Sequence, residues 1–130
     1  MLTRPLRKTI YQRVGAQKKG KKMLDWSRVG ELRGEVGAED FGEVVALFLE
    51  EVGEVITRLQ DNADRSQLEQ DLHFLKGSAL SLGFDTFSKL CQDGERQSAN
   101  GSADTVDIDA IVNEFTQSKE VFLAELPSRF

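Results

Sequence analysis

From Leu24 to Leu126 the apolar residues of this chain recur at three- and four-residue spacing, and nowhere do they alternate. That period belongs to helices with one buried face, so the sequence calls for helices packed on helices and gives no sign of strands. A short leading helix carries Trp26, Val29, Leu32 and Val36 and ends near Gly37. Gly30 and Gly34 make it intrinsically weak, so packing must hold it. A long second helix follows, with Phe41, Val44, Val45, Phe48, Leu49, Val52, Val55, Ile56 and Leu59 on one side and Glu43, Glu50, Glu51 and Glu54 on the other. Residues 61–64, Asp-Asn-Ala-Asp, break it.

Ser66 and Glu69 have the spacing of a capping box that starts a third helix, and Gly83 stops it. Asp85 is a candidate cap for a fourth helix with Phe87, Leu90 and Cys91 inward, fading by Asn100 and Gly101. A fifth helix repeats through Ile108, Ile111, Val112, Phe115, Phe122 and Leu126, and Pro127 is expected to end it. The pattern predicts an all-α fold: an antiparallel four-helix bundle with a short additional N-terminal helix.

Charge divides the chain. Residues 1–22 hold eight Lys and Arg and no acid. The other 108 residues hold nine bases and all 22 acids, a net of −13. The expected division is a basic, flexible N-terminal extension at 1–22 and one helical bundle domain at 23–130. An acidic body repels phosphate backbones, which argues against nucleic acid as a partner. No run of about 18 apolar residues exists to span a membrane, and the basic start lacks the apolar core of a signal peptide. With Cys91 as the only cysteine, no disulfide forms within the chain, and a cytoplasmic setting is expected. Cys91 itself reads as a small buried hydrophobe, and with His73 it falls short of a zinc set.

The third helix holds the only histidine. At about 100° per residue, Leu68, Leu72, Leu75, Ala79 and Leu82 fall within roughly 40° of one direction. His73 lies about 140° from that direction, with Leu80 at about 120° and Lys76 at about 80° on the same side and Gly77 at about 180°. Lys76 and Gly77 follow the histidine at i+3 and i+4, so both adjoin it on the helix surface. Imidazole is nucleophilic in its neutral form, the form an unperturbed side chain mostly holds at neutral pH. A lysine supplies a point charge for an anion such as a phosphoryl group. Glycine in a helix costs about 1 kcal/mol against alanine, which makes sense where a side chain would obstruct approach to the ring. A nucleophile, a cation and a gap suit a phosphoryl acceptor. There is no glycine-rich phosphate loop, nucleotide motif or carboxylate set with magnesium spacing, so any magnesium and leaving-group machinery must come from a partner.

The run His73-Phe74-Leu75-Lys76-Gly77-Ser78-Ala79, followed by Leu82-Gly83, resembles the signature of histidine-containing phosphotransfer (HPt) domains. Residues 31–37 and the phenylalanine-bearing second helix are also similar to that family, and the resemblance spans about Leu24 to Leu126. It implies an HPt-like bundle at 23–130, monomeric, acting as a relay in two-component signalling without kinase activity or a cofactor of its own. His73 would take a phosphoryl group from one receiver-domain aspartate and pass it to another. The partners implied are receiver domains of response regulators and hybrid histidine kinases, with Mg2+ held in the receiver. Lys76 would stabilise the phosphoryl charge, Gly77 would keep access open, and Leu80 is a candidate docking contact. The family often carries glutamine where this chain has Glu95. A carboxylate cannot donate a hydrogen bond, so Glu95 is expected either to orient the imidazole N–H or to weaken phosphoryl retention by repulsion. The alternative is a helical adaptor that binds a receiver or kinase without phosphorylation. Its mark would be loss of the histidine or the lysine, and both are present.

Overall fold

The apolar stripes assemble as helices in the computed structural model, which describes residues 23–61 and 64–130. The order is α1 (Trp26–Val36), α2 (Ala38–Asp61), α3 (Leu68–Leu82), α4 (Asp85–Ala99), a 3-10 turn (Ala103–Thr105) and α5 (Ile108–Arg129). Each of α2 to α5 packs on the next, and α5 closes back on α2; α1 lies against α2 and α3. Short connections between consecutive long helices give the antiparallel four-helix bundle expected from the sequence. Among the described residues the only sheet-like pairing is an isolated bridge between Leu24 and Phe84. The proposed extension at 1–22 lies outside the described residues, as do Asn62 and Ala63 of the second break.

The predicted core stripe of α3 is the core. Leu68, Leu72, Leu75, Ala79 and Leu82 are all buried. They meet Phe41, Val45, Leu49, Val52 and Ile56 from α2, and Phe87 and Cys91 from α4, in one hydrophobic cluster. At one end Phe84 meets both Phe115 and Phe122, and Trp26 stacks on Phe122 with the rings 5.5 Å apart and nearly parallel.

One corner fixes where α3 ends and α4 begins. Gly83 takes the left-handed conformation at φ 85°, and the Phe84 N–H donates to the Ala79 carbonyl at 2.8 Å. The Gly83 carbonyl accepts from the Asp25 N–H at 2.7 Å, and a Cβ on Gly83 would stand 2.7 Å from the Asp25 oxygen. Both the dihedral and the approach require glycine here. The Asp85 N–H is spent on the Met23 carbonyl, which ties the strand before α1 to the same corner. Arg28 adds a bond from Nε to the Ser81 carbonyl at 3.1 Å, a cation placed at the C-terminal end of α3.

Three expected helix ends are different in the structure. The Ser66–Glu69 capping box does not form: the Asp64 carboxylate accepts from the Ser66 N–H at 2.9 Å, and α3 begins two residues later with Gln67 at its cap. An aspartate bonding the amide two residues on is a local turn that competes with helix capping. Asp85 is not a cap but the first residue of α4, and its carboxylate pairs with Lys89 at 3.1 Å. Pro127 does not end α5, which runs on to Arg129. A proline removes one N–H from the ladder, and outside contacts hold this last turn. Arg129 lies over the Trp26 ring at 4.6 Å, and Phe130 meets Phe41 edge-on at 5.8 Å.

Candidate functional site

His73 projects from the outer side of α3 with its side chain 69% exposed. Its neighbours in sequence, Leu72 and Phe74, face differently: Leu72 is fully buried and Phe74 is partly exposed. The ring is not free on its other side. Nδ1 lies 2.8 Å from Oε2 of Glu95 on α4, and the second oxygen of that carboxylate lies 2.7 Å from Nζ of Lys76. One carboxylate therefore bridges the imidazole and the ammonium.

Packing beneath the surface produces this bridge. Gly94, the residue before Glu95, is buried, and a Cβ there would stand 2.7 Å from Cδ1 of Leu72, the residue before His73. With only hydrogen at position 94, α4 comes close enough to α3 for the next residue on each helix to meet outside the core. Val106 and Ile111 close the same gap, 3.3 and 3.6 Å from that Cβ position.

The carboxylate settles the chemistry of the ring. Lys76 holds the Glu95 carboxyl below the ordinary carboxylate range, the His73 bond adds to that effect, and partial burial opposes it. An ionised carboxylate can only accept, so Nδ1 carries the proton and donates to Oε2. In the neutral ring the lone pair is then on Nε2, the nitrogen away from Glu95. A carboxylate placed this way orients an imidazole and stabilises positive charge that develops on it.

Lys76 is mostly covered, at 25% side-chain exposure, and Glu95 at 20%. Beside them opens a cleft of about 240 Å³, lined also by Glu69, Gln92, Arg96 and Ala99. Gly77 is exposed, and a Cβ built on it would meet nothing within 4 Å. Gly30, Gly34, Gly42 and Gly53 are equally open, so the space alone does not single out Gly77; its place one turn from His73 does. Leu80 is 55% exposed on the same side of the helix, as the helical angles predicted. Phe74, at 41%, is an exposed aromatic beside the histidine. Its position outside the apolar stripe was the signal that could have marked it as a surface residue.

Cys91 takes no part. It is fully buried, and burial first, then the nearby Glu95 charge, pushes its thiol up to about 12. Among the described residues no group of three or more His, Cys, Asp and Glu side chains gathers as a metal set.

A helical bundle that presents one imidazole to solvent, backed by a carboxylate and a lysine, has the layout of a phosphoacceptor module. The sequence model of the Hpt domain matches residues 43–127, and the chain belongs to the Hpt domain family. The match covers α3, α4 and most of α2 and α5, and begins after α1, which the sequence resemblance had included. Hpt domains are histidine phosphotransfer modules of two-component phosphorelays, relays rather than kinases, and the family works with receiver domains and histidine kinases. Searches of curated proteins and of solved structures gave no match. No helix among the described residues is long and apolar enough to cross a membrane.

Proposed function

We propose that this protein relays a phosphoryl group between receiver domains through Nε2 of His73. The observation that carries the reading is the Nδ1–Glu95 hydrogen bond on a ring otherwise open to solvent. It leaves one nucleophilic nitrogen, and that nitrogen faces outward. In the forward step the Nε2 lone pair forms the N–P bond as the P–O bond to the receiver's aspartyl carboxylate breaks. The bonding pair leaves with that carboxylate. The ring becomes an imidazolium bearing phosphoryl on Nε2 and hydrogen on Nδ1, with Glu95 as its counter-charge. Discharge reverses these bonds onto a second receiver.

Positioning and charge neutralisation supply most of the catalysis in phosphoryl transfer. Here the ring is positioned by Glu95, and Lys76 is the nearby cation for the phosphoryl oxygens. Gly77 keeps the approach clear, and Leu80 and Phe74 offer apolar contact to the docking partner. The protein needs no cofactor of its own in this reading; the Mg2+ belongs to the receiver. It acts in the cytoplasm as a monomer.

Incubation with a phosphorylated receiver domain tests the proposal. The expected label on this chain is acid-labile and alkali-stable, maps to His73, and is abolished by His73→Gln. Label that persists in that variant, or none on the wild type, would overturn the relay reading and favour the adaptor.

A further inference from the structure

Glu95 has a second consequence, for what happens after phosphorylation. Its two oxygens already serve both groups that a phosphohistidine would use. Oε2 takes the Nδ1 proton, and Oε1 takes the Lys76 ammonium. A phosphoryl group on Nε2 makes opposite demands on the two contacts. Through the first, the carboxylate favours the cationic ring, because an anion beside an imidazolium stabilises it. Through the second, the carboxylate competes with the phosphoryl oxygens for the one lysine at the site.

Both effects act in the same direction. When phosphoryl leaves a cationic ring, the N–P electron pair returns to Nε2 and neutral imidazole departs, still protonated on Nδ1. From a neutral ring the departing group is imidazolate, a far more basic anion and a poorer leaving group. Withholding Lys76 removes a cation that would otherwise hold the phosphoryl group in place. We propose that Glu95 is a positioning residue that keeps the phosphohistidine short-lived, biasing the site toward discharge rather than storage. This rests on the reading of His73 as the phosphoryl carrier. A glutamine at position 95 would offer the same acceptor oxygen to Nδ1 but no charge to the ring and none to Lys76.

The cleft beside Lys76 and Glu95 is lined by two further charged groups, Glu69 from α3 and Arg96 from α4. Arg96 is paired with Asp93 at 3.2 Å, and among the described residues it is Glu95 that is bonded to the ring. Glu95→Gln therefore removes the one carboxylate in contact with both the ring and Lys76.

Loading with phosphoramidate, a small phosphodonor, avoids any receiver. The loaded protein is freed of donor, and loss of the phosphohistidine signal to water is followed by 31P NMR from pH 6 to 9. In that loss water forms the new P–O bond and releases a proton as the N–P bond breaks. With the counter-charge at Nδ1 gone and Lys76 released to the phosphoryl oxygens, Glu95→Gln should hold its phosphoryl group several-fold longer at pH 8. Lys76→Ala should shorten the lifetime more in the Glu95→Gln background than in the wild type, because there the lysine is no longer engaged. An unchanged or shorter lifetime in Glu95→Gln overturns the proposal while leaving His73 as the carrier. No phosphohistidine on the loaded wild type would instead sink the carrier reading, and the proposal with it.

Discussion

The two faces of α3 differ in nearly every respect. The inner face, Leu68 to Leu82, is a row of side chains no more than 2% exposed, and the helix register sets their partners. The outer face holds a ring at 69% exposure, an open glycine and a leucine at 55%. One face is bound by packing on all sides, and the other by two polar contacts to a single carboxylate. The inner face should thus govern whether the protein folds, and the outer face what it does once folded. Residue 72 and residue 73 sit on opposite sides of that division although they are adjacent.

Substitution of those two neighbours gives the sharpest contrast. Leu72→Ala removes a fully buried side chain and should lower unfolding free energy by about 2–5 kcal/mol, measured by chemical denaturation. His73→Gln, on the exposed side, should stay within about 0.5 kcal/mol of the wild type while losing all phosphoryl labelling. A large stability loss in His73→Gln would break the division of labour between the faces.

Gly94→Ala sits where the two faces are linked. Its methyl group would enter the space held by Leu72 and Val106, and overpacking of this kind typically costs about 1–3 kcal/mol. If α4 moves away from α3 to make room, the folded variant should also lose the His73–Glu95 bond. Its His73 nitrogen shifts by 15N NMR should then show a mixture of tautomers in place of Nδ1–H alone. A destabilised variant with the single tautomer intact would mean that Leu72 yields by rotating and the two helices keep their spacing.

The smallest effect belongs to Gly77→Ala. No atom obstructs the added methyl, so helix propensity should raise stability by up to about 1 kcal/mol. Transfer from a phosphorylated receiver should slow if access to the ring is the reason for glycine. Gly42→Ala, at an exposed position of α2, is the control: the same gain in stability is expected with no change in transfer. Equal transfer rates in both variants would remove the access role from Gly77.

Much of this was legible before the structure. The inner stripe of α3 and the outward angle of His73 follow from helical period alone, since all the residues lie on one helix and share one geometry. The bond to Glu95 does not. It joins residues 22 positions apart on two helices, and its length depends on Gly94 having no side chain, which no wheel displays. The sequence allowed Glu95 either to orient the ring or to repel the phosphoryl group. The carboxylate stands against Nδ1, where it can orient the ring, and against Lys76, the cation that phosphoryl oxygens would need. The misread ends have local causes: Asp64 takes the Ser66 amide, Met23 takes the Asp85 amide, and aromatic contacts hold the turn around Pro127. In the first two cases the competing partner lay in a segment that the apolar pattern does not describe; in the third Trp26 and Phe41 belong to the pattern, but their contacts with the last turn of α5 join distant helices.

The contact of Gly94 with Leu72 also bears on how such a site can diversify. Interhelix spacing is set inside the bundle by hydrogen against methyl, whereas the reacting groups stand one residue further along on the outside. Span and chemistry are thus encoded by different residues. A change at position 95 swaps the kind of partner offered to the imidazole without altering the distance over which it is offered. On the proposed role of Glu95, relays with long-lived or fleeting phosphoryl groups would arise on one scaffold by exchange of a single partly covered side chain, with the hydrophobic interior left as it was.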